Sequence, residues 1–111
     1  MNKKRIIRQD EKELILFLLS KINSNIKNHP IGELVEEYEG GIMGSISMGN
    51  PEECPYLGDL IQARYTDIDG KEVVITLTED ANHQLLDLDF WKVDFSKLLK
   101  YPSPSELVFE N

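Results

Sequence analysis

The sequence predicts an α+β domain in which one N-terminal helix packs on an antiparallel β-sheet meander of about five strands. Three observations carry this. Leucines and isoleucines crowd at helical spacing between Asp10 and Ile22. From Leu34 onward the apolar period shortens to two, the spacing of a half-buried strand. Turn-forming residues at 39–41, 67–70 and 81–83 then divide the remainder at hairpin intervals. A chain of 111 residues, 41% hydrophobic and 29% charged, suits a single domain over 1–111 with one core.

Residues 1–8 read as a basic N-terminal arm, and Asp10 with Glu13 as a capping box that starts the helix. Leu14, Ile15, Phe17, Leu18, Leu19 and Ile22 cover more than one stripe, so the helix should pack broadly against the sheet. Asn23 to Asn25 end it, Ile26 extends a loose turn, and His29-Pro30 excludes further helix. Leu34 to Tyr38 and Ile42 to Met48 flank the tight turn Glu39-Gly40-Gly41. Gly44 in mid-strand signals close approach of another group. After the loop Gly49 to Gly58, Asp59 to Thr66 and Lys71 to Thr78 flank Asp67-Ile68-Asp69-Gly70, with Val73, Ile75 and Leu77 inward.

Ala81-Asn82-His83 leads into Gln84 to Leu99, the most regular stretch. Leu86, Leu88 and Phe90 fall on one face, Asp87 and Asp89 on the other. Beyond Phe90 the apolar set becomes Trp91, Val93 and Phe95, with Lys92 and Asp94 the polar set, a change of phase that predicts a β-bulge or a strand end at Phe90-Trp91. Trp91 is then expected in the core with Phe95, Leu14 and Leu18. Ser96 to Leu99 should form one helical turn. Residues 102–111 read as a C-terminal extension whose Leu107, Val108 and Phe109 either pack back or form an edge strand.

The net charge is −8, but four cations stand in the first eight residues, leaving 8 basic against 20 acidic residues beyond them. Such a field repels nucleic acid and anionic lipid and favours a cationic protein partner. The lone Cys54 allows no internal disulfide. No apolar run is long enough to span a bilayer, and Leu14 to Leu19 is too short for a signal-peptide core. A cytoplasmic location is the expectation.

Arg5, Glu11, Leu14, Ile15, Leu18 and Leu19, the hairpin VEEYEGGIMGSI, the turn YTDIDG and the segment LDLDFWKVDFSKL together resemble a family of small, mostly bacterial proteins defined only as a domain of unknown function. The resemblance implies a compact helix-plus-sheet domain and supplies no catalytic residues. In size and charge the chain is similar to immunity proteins of contact-dependent toxin systems, an analogy of fold scale and not of site.

Of the residues that carry chemistry, Asp87, Asp89, Trp91 and Asp94 are the candidate partner-binding set. Asp67-x-Asp69-Gly70 fails as a calcium loop, because Tyr65 and Thr76 fall where ligands are required. His29 and His83 stand far apart in sequence, and Cys54 lies between Glu53 and Pro55, where acidic neighbours disfavour a thiolate. No glycine loop precedes a helix in the manner of a phosphate cradle. The expectation is therefore a binding protein without cofactor or metal, with a small enzyme using sheet carboxylates and a sheet-mediated homodimer as alternatives.

Overall fold

In a computed structural model describing residues 4–25, 27–38 and 42–109, the chain forms one antiparallel sheet with a helix packed on it. The order of elements is β1 (Lys4–Ile6), α1 (Gln9–Lys21), β2 (Leu34–Glu37), β3 (Ile46–Ser47), β4 (Tyr56–Thr66), β5 (Glu72–Asp80), β6 (Leu85–Lys92) and a 3₁₀ turn at Pro104–Glu106. The sheet has six strands in the order β1-β2-β3-β6-β5-β4. It departs from a plain meander at one step. After β3 the chain crosses to the far edge, then returns through β4, β5 and β6, so that β6 closes against β3 at the centre. The expected turns at Ile26 and at Glu39 to Gly41 lie outside the described residues.

The stretch read as a basic arm contains β1, whose Arg5 joins three elements. Its guanidinium forks onto the Glu11 carboxylate at 2.9 and 2.8 Å, and its Nε donates to Glu37 Oε2 at 3.0 Å. Glu11 also accepts from the backbone N–H of Arg8 at 2.8 Å. The acid that closes the helix start is therefore Glu11 and not Glu13, and α1 begins at Gln9, earlier than expected. At the other end Asn23 takes φ 57°, and the Ser24 amide donates to Leu19 O, closing the helix where the asparagines predict.

Leu14, Ile15, Leu18 and Leu19 are fully buried against Val35, Ile46, Val73, Ile75, Leu77 and Leu88. Each such side chain contributes roughly 1.5 to 3 kcal/mol by leaving water. Trp91 is not among them: it is 43% exposed, and Lys92 beside it is fully buried. No bulge falls at Phe90-Trp91, since Ile75, Val74 and Val73 pair in sequence with Phe90, Trp91 and Lys92, and the strand ends just beyond, at Lys92. The irregularity lies earlier. Leu77 pairs with Leu88 and Glu79 with Leu85, so two steps along β5 match three along β6. Beyond it the alternation runs unbroken, which sends position 92 inward even though it is a lysine.

The stretch Ile42 to Met48 keeps strand geometry only at β3, because Gly44 takes φ +92°. A Cβ there would stand 3.0 Å from Leu98 Cδ2 and 3.5 Å from the Phe90 ring, the close approach that the glycine signals. Residues 96–99 form no helical turn and run irregularly across this segment, with Leu98 N donating to Ile42 O. The C-terminal extension packs back on the domain and forms no edge strand among the described residues. Leu107 and Phe109 pack on the core, while Val108 makes a single bridge to Arg64 on β4.

Gly44→Ala combines an unfavourable left-handed backbone with a tight contact to which Leu98 must yield, and should lower the free energy of unfolding by roughly 1 to 3 kcal/mol. Urea denaturation would measure it, and an unchanged midpoint would show that Leu98 yields without cost.

Candidate functional site

The inward alternation of β6 ends on Lys92, whose three ammonium protons all have acceptors. Nζ donates to Asp69 Oδ2 at 2.7 Å, to Asp67 Oδ2 at 3.0 Å and to the Lys97 carbonyl at 3.0 Å. Asp67, itself buried, accepts further bonds from the backbone amides of Ile68, Leu99 and Lys100. Lys92 is held above the ordinary lysine range by the two carboxylates, against desolvation. Asp67 is held below the ordinary carboxylate range by the Leu99 amide and Lys92, also against desolvation. One buried cluster thus ties the β4–β5 turn, the end of β6 and the segment after it. Asp67 and Asp69 serve the turn as expected, with Gly70 at φ +81°, but they also hold the lysine.

The opposite alternation of β6 carries Asp87, Asp89 and Trp91 into an open recess of about 310 Å³. Tyr38, Met43, Ser45 and Phe95 complete its walls with Phe90. The Tyr38 hydroxyl donates to Asp87 Oδ1 at 2.7 Å, and Ser45 Oγ lies 3.1 Å from Asp89 Oδ1 while accepting from Phe90 N at 2.8 Å. Trp91 and Phe95 meet edge to face, with centroids 5.8 Å apart and planes at 79°. Both rings keep large exposed surfaces, 43% and 68%.

The electrostatics of this recess are only partly relieved by hydrogen bonds. Desolvation pushes the Asp87 carboxyl up, Asp89 adds to the effect, and the Tyr38 hydroxyl opposes it. Desolvation also pushes Asp89 up, with Asp59 adding and Ser45 opposing. Tyr38 is pushed up to about 12 by burial and by Asp87, so it remains a neutral donor at physiological pH. Two partly desolvated anions therefore stand together beside two exposed rings.

Three of the four residues singled out from the sequence meet here: Asp87, Asp89 and Trp91. Asp94 does not line the recess. Its carboxylate accepts from Ser96 N and Ser96 Oγ, which lowers its pKa and caps the turn carrying Phe95. Tyr38 and Ser45 arrive from across the sheet through β2 and β3, a juxtaposition that no local pattern announces. Lys92 could have been placed by extending the alternation Leu88, Phe90 one step further. Its charge argued against doing so.

Elsewhere the two histidines converge on one acceptor. His83 Nδ1 and His29 Nε2 lie 3.1 and 3.5 Å from Glu79 Oε1, and His29 Nδ1 is 2.6 Å from Ser24 Oγ. Among the described residues no group of three His, Cys, Asp or Glu side chains is arranged to hold a metal ion. No helix among them is long and apolar enough to cross a membrane.

These features define a small α+β protein with an acidic, aromatic recess on its sheet. Residues 4–102 match the model of a domain of unknown function, DUF6984, and the chain belongs to that family. Comparison with curated proteins and with solved structures gives no match.

Lys92→Met should leave Asp67 and Asp69 without their cation and lower the melting temperature by on the order of 15 °C, measured by circular dichroism. Asp67, with its folded pKa below the unfolded one, contributes stability that is present above the ordinary carboxylate range and lost as pH falls through the folded value. The acid limb of the stability curve should therefore flatten in Asp67→Asn.

Proposed function

We propose that this protein is a non-enzymatic binding protein whose sheet face engages a cationic partner protein. The observation that carries this reading is the exposure of Trp91 and Phe95 beside Asp87 and Asp89. Large aromatics at the centre of a rim of charge form the usual energetic core of a protein interface. Binding a cation would also relieve the desolvated carboxylates, an interaction that water supplies only in part. A cationic toxin held inactive by such a surface, as in immunity systems, is one partner class that fits. The lone Cys54 suits a reducing cytoplasm as the setting.

The enzyme alternative receives less support from the recess. Its hydroxyls are committed, Ser45 to Phe90 N and Tyr38 to Asp87, and the phenol is too weak an acid to exchange protons near neutrality.

The test is association with the partner captured from the native host, followed by stopped flow. The rate should fall steadily with added salt and drop about tenfold in the Asp87→Asn, Asp89→Asn double variant. A rate indifferent to salt and to the variant would reduce the acidic face to a solubility feature. Stability supplies an independent readout. Both carboxyls are raised in the folded state, so folding favours their protonated forms and their ionisation costs stability as pH rises through the folded values. The double variant should therefore melt no lower than the parent at pH 7, and its advantage should vanish below the carboxylate range. A lower melting temperature at neutral pH would contradict this.

A further inference from the structure

The aromatic wall of the recess is held in place at a conformational cost. Phe95 takes φ 60°, a left-handed conformation rare for a bulky residue, and its ring gains little burial in return. The turn is fastened from several sides. Phe95 N donates to Lys92 O at 2.9 Å, Asp94 accepts from Ser96, and the Lys97 carbonyl accepts from Lys92 Nζ. The buried ammonium thus fixes, from inside, the loop that displays Phe95 outside.

Phe95 and Trp91 then form a corner with two walls nearly at right angles. Asp89 is two residues from Trp91 on the same face of β6, and Asp87 two further, a step of about 7 Å along a strand. Asp87 is engaged by Tyr38 and Asp89 by Ser45, but Asp89 is the more exposed of the two and the closer to the corner in register. The corner therefore offers flat π-surface on two sides and an anion on the third, in a chain of net charge −8.

Resting on the reading of this face as a binding surface, we infer that the corner of Trp91, Phe95 and Asp89 receives an arginine side chain of the partner. A guanidinium is planar and weakly hydrated, so it stacks on a ring while its N–H edge meets a carboxylate. A lysine ammonium matches the charge but is a compact, strongly hydrated group that leaves the flat surfaces unused.

Trp91 is the only tryptophan in the chain, so its emission reports on the corner directly. Two short peptides of equal length, one with two arginines and one with two lysines, are titrated at low salt. The arginine peptide should bind about fivefold more tightly and change the Trp91 emission more. Phe95→Gly suits the left-handed backbone, so it should keep or raise the melting temperature while cutting the arginine preference below about twofold. Asp89→Asn should weaken both peptides. Equal affinity for the two peptides, lost for both in the Asp87→Asn, Asp89→Asn variant, would overturn the arginine receptor and keep the acidic binding face. Binding of neither peptide would overturn both. Full arginine preference in Phe95→Gly would remove Phe95 from the site.

Discussion

The rest of the structure depends on the burial of Lys92. An ammonium taken out of water loses several kcal/mol of hydration, and only complete replacement of its hydrogen bonds makes the position tolerable. Here the replacement is complete, from Asp67, Asp69 and the Lys97 carbonyl. Ion pairs of this kind seldom add more stability than a well-packed apolar group, so the consequence is positional. The lysine accepts one arrangement of its neighbours, and those neighbours belong to three separate segments. With Asp67 also bonded to the amides of Leu99 and Lys100, the chain after β6 has a fixed path.

That path connects the interior to the recess. Leu98 reaches Gly44, Tyr65 donates to Lys100 O, and Tyr101 stacks on Phe90 with centroids 5.3 Å apart. Between Lys92 and Lys97 the chain must turn outward and back, and Phe95 stands at the outermost point. One strand therefore serves two faces. Leu88, Phe90 and Lys92 order the interior, while Asp87, Asp89 and Trp91 supply the recess. Because β6 is flanked by β3 and β5, its outward residues occupy the middle of the sheet and not an edge.

Much of the fold was legible because it follows from local periodicity. The helix between Asp10 and Ile22, the Asp67 to Gly70 hairpin, the inward set Val73, Ile75 and Leu77, and the need for glycine at 44 all come from residues acting on near neighbours. Strand order did not, since β6 meets β3 through a crossover that leaves no mark on either segment. Trp91 and Lys92 were assigned to the wrong faces for a plain physical reason. Hydrophobicity placed the tryptophan inside, but strand geometry sets side-chain direction, and geometry prevails where a buried charge finds enough partners. The acids Asp87 and Asp89 could be read as outward from the alternation alone. Their meeting with Tyr38 and Ser45 required the sheet.

Several locally unfavourable features meet on one face of the sheet, while others, such as the left-handed Asn23 and His83, lie at turns elsewhere. Partly desolvated carboxylates, exposed rings and a left-handed phenylalanine gather on the same side of β6, whereas the buried charges of the inward side, Glu11, Asp67 and Lys92, are each paired. Natural sequences generally keep local preference and global fold in agreement. Departures that cluster, and that lie next to a buried device fixing their geometry, mark surface held ready for something the isolated chain does not contain. A solubility surface needs charge alone. It has no use for a tryptophan and a phenylalanine set edge to face above that charge, and this pairing, more than the acidity, is what makes a binding face the better account of the sheet.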